Sequence, residues 1–582
     1  MTDIIDQKKQ HKLLSTRYLI IYYILISVLT FLFLSKNGYI YTGADAQFHI
    51  NRIEEIASNL KIHNFFSFIS TFSANRVGIG TNIFYPSLWL YPFALLRLCT
   101  SNPIHAIYTG LMIINFLTCV IAHFTFRSFS GSQSKAFIFT NLYFFSTYRW
   151  IDIFNRFDIS ESIALMLIPL VFWGFYETLF KNQEMWPWLA VGMALLLYAH
   201  ILSFLIVTFF LLLIFLVNIS RIQNLASRFI KLIFSAVIFM ILTIGFLFTF
   251  IKTYITVNIQ SPRPFDFSQT ALKLGKLIDS SFSNYVYGNS SQFNLGLIAI
   301  IIGILAILYF KKLSSTYRQI TFWIIFCIFL STNLFPWLFL QNTSLAMIQF
   351  PWRFFIIANF FICIVGAEVF SFINIKNFNK IIILVLFLLS AGSITYFVSI
   401  QQHDPTLKRA FVPYESLKVR YSIKINKQAY KYLTIVSPNK DYIPINLKYT
   451  NLENRKMYDR VATHHIFVHY KPVEIQHEKS IANGTILTLP KIGKRTTVSL
   501  PFYIYQKHNY RVWVNGQRSH FEIDRFKLIK LKLQGNKNII RIQYIPTKIQ
   551  LLSIWISIIG FITLIVYSLF KWARLLKKSY SN

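Results

Sequence analysis

The sequence predicts a polytopic α-helical membrane protein with about twelve spanning helices and one β-sandwich domain near the C-terminus, outside the cytoplasm. Three observations predict it. Hydrophobic residues make up 54% of the 582-residue chain and the mean hydropathy is +0.48, which places it in the membrane class. Stretches such as Tyr18 to Leu34, Leu232 to Ile251 and Ile381 to Val398 contain no Asp, Glu, Lys, Arg or His and reach the roughly 17 to 20 residues that a hydrocarbon core requires. Residues 400–550 change character, alternating apolar and polar side chains around turn-forming Asn-Gly and Gly-Asn pairs.

Taken in order, spans are expected near 18–34, 104–126, 136–149, 161–180, 186–199, 202–218, 232–251, 295–310, 320–340, 354–372, 381–399 and 551–570. Each should be a helix, because lipid offers the backbone no other hydrogen-bond partner. The first follows Lys8, Lys9, Lys12 and Arg17; it is too long for a signal-peptide core and no small-residue cleavage site follows, so it is expected to remain as an anchor. With the N-terminus inside, the cytoplasmic connections carry Arg127 and Lys135, Lys181, Arg221 with Arg228 and Lys231, Lys311 with Lys312 and Arg318, Lys376 with Lys380, and a tail containing Lys571, Arg574, Lys577 and Lys578. That is the positive-inside bias, and it puts both termini in the cytoplasm. Phe84 to Cys99 is apolar but contains Pro86 and Pro92, and reads as a re-entrant or juxtamembrane element. The chain thus divides into a membrane domain (1–399) with a long first outer loop (35–103), an outer β-rich domain (400–550), and a last span with a basic tail (551–582). In the β-rich region, Tyr510 to Val514 and Ile539 to Tyr544 read as strands, and Asn515-Gly516 and Gly535-Asn536 as turns.

Lys and Arg number 58 against 22 Asp and Glu, a formal charge of +36. In a membrane protein that excess points to membrane lipids, polyprenyl phosphates or an anionic envelope polymer, and not to nucleic acid. Cys99, Cys119, Cys327 and Cys363 all lie in apolar segments, which suggests neither a disulfide framework nor a metal-thiolate site. P-loop, Rossmann and HExxH patterns are absent in any credible context, which argues against nucleotide-driven transport by this chain alone.

Candidate chemistry lies in the outer loops. Asp45, His49 and Arg52 are spaced four and three apart, so a helix would present a carboxylate, an imidazole and a guanidinium on one face. They could deprotonate a hydroxyl beside a phosphate; equally, Asp45 could be an N-cap with His49 and Arg52 on a solvated face. The second outer loop holds Arg149, Asp152, Arg156, Asp158 and Glu161. Asp158 could join Asp45 around a metal or an acceptor hydroxyl, or pair locally with Arg156 while Ser160 caps the next helix. His200 falls at an outer turn between two spans, as a cavity-facing or a structural histidine. Gln349 and Arg353 begin a later span beside Trp352; Arg353 could bind a lipid phosphate or snorkel within an aromatic belt. Glu368, near the cytoplasmic end of that span, is expected to pair or face a polar interior.

The Asp45-to-His49 pair after the first span, the Pro86/Pro92 segment and the Arg156/Asp158 loop resemble the GT-C superfamily of membrane glycosyltransferases. More narrowly, Asp45 to Arg52, Leu195 to His200, Gln349 to Phe354, and Tyr505 to Gly516 followed by Tyr544-Ile545-Pro546-Thr547 resemble the bacterial YfhO-like proteins and the family labelled 6-pyruvoyl-tetrahydropterin-synthase-related. The resemblance implies a carboxylate base at Asp45 and a phosphate-binding Arg353; beside them the residues themselves offer His49 and Asp158 as further catalytic candidates and Arg52, Arg156, His200 and Gln349 as substrate-binding ones. It also implies a polyprenyl-phosphate sugar donor and an anionic envelope polymer as acceptor. Pterin chemistry is not implied, for no cluster of zinc-binding histidines is present. Many GT-C enzymes carry paired acids in the first loop where this chain has Gly43-Ala44-Asp45, a departure that weighs against metal dependence while leaving a divalent cation as the one cofactor to consider. A lipid or polysaccharide flippase and a non-catalytic assembly factor are the rival classes; the flippase would favour duplicated halves with broken helices, and no such repeat is visible.

Overall fold

A computed structural model describes residues 16–41, 43–288, 290–375, 377–403, 424–435, 440–468, 471–492, 496–533 and 538–580. The expected Lys8, Lys9 and Lys12 cluster and the Gly535-Asn536 turn lie outside the described residues.

All twelve expected spans coincide with helices: α1 (Thr16–Lys36), α4 (Pro103–Ser130), α5 (Gln133–Phe144), α6 (Ile159–Phe180), α7 (Trp186–Ala199), α8 (Ile201–Asn218), α9 (Leu225–Thr256), α10 (Leu297–Leu308), α11 (Ser315–Ser331), α12 (Phe355–Phe370), α13 (Phe378–His403) and α15 (Lys548–Tyr580). Among the described residues, eight candidate spans are long and apolar enough to cross a membrane, so this is a multi-pass membrane protein. The other four, α5, α7, α10 and α11, have 12, 14, 12 and 17 residues. At about 1.5 Å per residue these reach at most roughly 26 Å, so the twelve expected spans comprise eight long helices and four shorter ones. The expected span 320–340 is cut short at Ser331, and Pro336 with a series of 3₁₀ turns follows. Helices α6 and α12 form the buried centre of the bundle. Glu368 on α12 pairs with Lys135 of α5 at 2.5 Å, as an ionisable group at membrane depth requires.

The first loop opens with Ile40–Tyr41, paired antiparallel to Lys424–Ile425, followed by α2 (Ala46–Lys61). The segment 84–99 does not span; it forms short 3₁₀ and α pieces ending in α3 (Tyr91–Cys99). Glu55 of α2, fully buried, accepts hydrogen bonds from the backbone N–H groups of Thr71, Phe72 and Ser73 and from the Ser73 hydroxyl. One carboxylate thereby fixes a stretch of loop that has no ladder of its own.

After α14 (Asn451–Ala462), with its Thr450/Glu453 capping box, come ten strands: β1 (His465–Val468), β2 (Lys471–Glu474), β3 (His477–Ile481), β4 (Gly484–Leu489), β5 (Thr496–Tyr503), β6 (Tyr510–Val514), β7 (Gln517–Ser519), β8 (Glu522–Ile523), β9 (Leu528–Leu533) and β10 (Asn538–Tyr544). They form two five-stranded antiparallel sheets, ordered β8-β9-β5-β1-β2 and β3-β4-β10-β6-β7. Alternation decides the faces: Ile540, Ile542 and Tyr544 point into the core while Ile539 and Arg541 point out. Asn515 (φ 50°) and Gly516 (φ 83°) make the expected tight turn. The domain shares a core with the first loop, where Phe68, Ile69, Val77 and Ile79 pack with Leu487, Phe502 and Tyr544. Asn483 accepts from the Phe68 N–H and donates to the Phe66 carbonyl, and the Tyr503 N–H donates to the Val77 carbonyl. Ile545 to Thr547 then deliver the chain to α15, which packs along α9 where the Gly245 N–H meets the Ser557 hydroxyl at 2.9 Å.

Candidate active site

Two backbone devices bring side chains of these loops together. After α5 the chain makes one π-helical turn, Ile151–Arg156, and reverses at Phe157 (φ 56°, ψ 39°), a left-handed conformation costly for an aromatic residue. The Asp158 N–H donates to the Asp152 carbonyl at 3.1 Å across that reversal, and Asp158 then caps α6 by accepting from the Glu161 N–H at 3.0 Å. The turn aims Asp152, Arg156, Asp158 and Glu161 inward from one short segment. The second device is Gly43. A Cβ there would lie 2.2 Å from the Asn155 carbonyl oxygen, so only glycine allows this approach, and the Asp45 N–H then donates to the Arg156 carbonyl at 2.9 Å.

Arg156 is the hub. Its Nη1 donates to Asp152 at 2.8 Å and to Glu161, and its Nη2 to Asp158 at 2.6 Å and Asp45 at 3.4 Å. The guanidinium lies over the Trp352 ring, 5.0 Å from its centroid. His49 Nε2 meets Asp158 Oδ1 at 3.0 Å, the Tyr148 hydroxyl donates to Glu161 at 2.6 Å, and the Ser162 hydroxyl donates to Asp152 at 2.9 Å. Of these four carboxylates Asp45 alone is open, with 39% of its side chain exposed against 5% or less for the others.

Arg353 donates to the Ile348 carbonyl at 2.8 Å and to Gln349 Oε1 at 3.1 Å, and its charge is felt by Asp45 and Glu161. His200 caps α8, its Nδ1 paired with the Ser203 hydroxyl at 2.6 Å, within electrostatic reach of Asp158 and Glu161. Direct contacts join Asp45, His49, Arg156 and Asp158, a His200 ring nitrogen comes within 4.8 Å of Asp158 and Glu161 carboxylate oxygens, and Arg353 with its partner Gln349 reaches the group through Trp352, whose ring both guanidinium groups approach.

Arg52 is turned aside. It donates to Asn82 and to the Tyr85 and Pro86 carbonyls, at 3.2, 2.9 and 2.6 Å, and stacks on Phe48 and Tyr85. The expected single face of Asp45, His49 and Arg52 is corrected accordingly: Asp45 precedes the first helical turn, and Arg52 braces the proline segment. Neither His49 nor Arg52 is on a solvated face, since both are buried. Asp158, not Ser160, caps α6. Asp152 and Glu161 stood in the sequence only as members of a charged loop, Trp352 only as a neighbour of Arg353, and Tyr148 was missed; the spacing of Asp152 and Glu161 around Arg156, four before and five after, was the usable signal.

Charge balance separates the acids. Burial alone would raise the Asp158 carboxyl, but Arg156 and the His49 hydrogen bond outweigh it and hold Asp158 well below the usual carboxylate range. Asp152, more deeply buried and beside Glu161, is pushed well above that range despite Arg156. Asp45 is also raised, chiefly because the surrounding protein withdraws it from bulk water, with Arg156 opposing. Burial pushes His200 down to about 4, so its imidazole is neutral at neutral pH.

Asp158, Glu161 and His200 present ligand atoms within 4.8 Å of one another, the geometry of a cation site. Yet both carboxylates already bind Arg156, and His49 and Tyr148 take further lone pairs. With the charge of both carboxylates already met by the guanidinium, these residues as arranged do not fit a resident metal.

An apolar cavity of about 300 Å³ lies deeper in the bundle between α4, α6, α11 and α12, lined by Phe126, Phe172, Trp173, Trp323 and Phe360 among others. Pro169, on its wall, is eleven positions along α6 from Asp158, about 16 Å.

No protein-family model matches the chain, and neither does any curated protein. Among solved structures the chain is similar to that of ArnT from Cupriavidus metallidurans bound to undecaprenyl phosphate, at 10% identity and a TM-score of 0.37, over 69% of this chain and 67% of that one. A likeness of that size carries no weight for the function of this chain.

Proposed function

We propose that the protein is a membrane glycosyltransferase that moves a sugar from a polyprenyl-phosphate carrier to an anionic envelope polymer on the outer face, as its resemblance to the GT-C superfamily implies. One observation carries the reading: Asp45 is the open, proton-accepting edge of an otherwise sealed acid–base network. In the proposed step the acceptor hydroxyl oxygen attacks the sugar's anomeric carbon while Asp45 takes its proton. The bond from that carbon to the carrier's phosphate oxygen breaks, and the phosphate leaves with the electron pair, giving inversion.

Asp158, held anionic by Arg156, keeps His49 oriented beside Asp45, and the neutral His200 offers a hydrogen bond without adding charge. Arg353, tethered by Gln349 at the start of a span, is suited to meet the departing phosphate at headgroup depth. The aromatic-lined cavity beneath gives an apolar tail somewhere to lie.

Two variants test the reading. Asp45→Asn should lower sugar transfer by about 10²- to 10⁴-fold in correctly folded protein, the usual worth of a general base. Retained transfer eliminates Asp45 as the base, and comparison of envelope polymers from cells with and without the gene identifies the sugar. Arg353→Ala should weaken carrier binding, and unchanged carrier affinity removes its assigned role.

A further inference from the structure

The outer surface of the sheet β3-β4-β10-β6-β7 carries one continuous row of side chains across all five strands. The register aligns Lys479 with Ile486, Ile486 with Arg541, Arg541 with Trp513, and Trp513 with Arg518. Lys479, Arg541 and Arg518 are exposed, Ile486 and Trp513 partly so. Among the described residues none of the three cations is ion-paired with a carboxylate. Arg541 lies over the Trp513 ring, 5.0 Å from its centroid, which fixes the two side chains relative to each other.

The strands set the spacing. At about 4.8 Å between neighbours, the cations recur at intervals of roughly 10 Å, with an apolar side chain midway in each interval. A chain of sugar rings bearing a negative group on alternate units presents the complementary pattern: charge, apolar ring face, charge. A bilayer surface does not. Strand β10 leads through Ile545 to Thr547 into the apolar helix α15, and Arg541 lies three residues, about 10 Å of strand, before the end of β10.

We propose that this row is the docking track for an anionic glycan polymer, the acceptor class named above, on which reading the assignment rests. The aromatic supplies contact with the ring and the cations set the register.

Binding tests this without any sugar donor, so failure of the transferase reading through Asp45 leaves the measurement untouched. The full chain in detergent micelles is titrated with fluorescent heparin, as an anionic glycan, and with inorganic polyphosphate, as a polyanion without rings. Lys479→Gln, Arg518→Gln and Arg541→Gln combined should weaken heparin binding by about tenfold, three surface charges' worth. Trp513→Ala should weaken heparin about fivefold and leave polyphosphate unchanged, as loss of one aromatic contact predicts. Heparin affinity within twofold of the parent in the triple variant overturns the track. Equal loss of both ligands, or of neither, in Trp513→Ala reduces the row to an indifferent basic patch and also overturns it. Because all four side chains lie on the outer face, near-parental thermal unfolding is expected and serves as the folding control.

Discussion

Replacing Arg156 with Gln removes the one cation shared by Asp152, Asp158, Glu161 and Asp45. Three of those carboxylates are at most 5% exposed, and the arginine side chain is itself 7% exposed, so water screens the loss very little. Stripping one partner from a buried ion pair costs about 3 to 5 kcal/mol, and here a single deletion strips several pairs at once. The cost does not multiply, because the acids escape it by taking up protons.

That escape gives the cost a sign in pH. In the parent, Asp158 has a folded pKa below its unfolded value, so its stabilisation is present above the ordinary carboxylate pKa of about 3.9 and is lost as pH falls. In Arg156→Gln the largest opposing influence is gone and the His49 hydrogen bond is left against burial, which moves the folded pKa up past the unfolded one. The carboxyl then stabilises nothing above that folded value and disfavours folding as pH rises through it. The variant's deficit should therefore be small near pH 4 and reach about 3 to 5 kcal/mol above neutrality. Unfolding midpoints of detergent-solubilised parent and variant, measured from pH 4 to 8, give the difference directly. A deficit that is constant with pH, or greatest in acid, would falsify the view that Arg156 neutralises ionised carboxylates.

The raised Asp45 carboxyl makes a second prediction: the acid limb of kcat/KM for transfer should lie above the ordinary carboxylate range, activity rising with pH through it, and a limb near 4 would show that another group titrates. Gly43→Ala must push the loop off the Asn155–Arg156 backbone; the Asp45-to-Arg156 contact should open and transfer fall by about 10²-fold, with stability lowered by only about 1 to 2 kcal/mol. Parental activity would mean that Asp45's position is immaterial. Glu55→Ala leaves three backbone donors without their acceptor and should destabilise the first loop by about 3 kcal/mol, seen as earlier proteolytic cleavage around residues 64–80. An unchanged cleavage pattern would refute the carboxylate's role as the loop's anchor.

The membrane architecture was legible because the rule behind it is nearly one-dimensional. Lipid leaves a spanning backbone no choice but a helix, so each of the twelve expected spans coincides with one, and period-two alternation named the strands β6 and β10. Length was less legible. Hydropathy continues past Ser331 through Leu340, but Pro336 and the turns around it end the helix, and a windowed hydropathy reading weighs side chains, not the missing N–H of one proline. The shared core between Phe68 or Val77 and the strands could not be read at all, since residues some 400 positions apart meet only in three dimensions.

The site shows the same division more sharply. Composition singled out Arg156 and Asp158, because acids are scarce in this chain and five charged residues crowd one short loop. What it could not supply was direction. Helical spacing put Asp45, His49 and Arg52 on one face, but the helix begins at Ala46, so Asp45 answers to the loop and to Gly43, not to the helical repeat. Arg52 was taken instead by two carbonyls freed at Tyr85 and Pro86, where the proline segment leaves its acceptors without helical partners. A guanidinium in a membrane protein goes to whichever oxygens the backbone has left unpaired, and those oxygens are set by breaks in structure, not by residue spacing. Arg156 shows the alternative: its oxygens are carboxylates delivered by a left-handed Phe157, a strained turn that nothing in the identity of a phenylalanine announces. That strain persists only because the four-acid cluster it creates is held by one charge, which is why the pH dependence of Arg156→Gln interrogates the turn and the chemistry together.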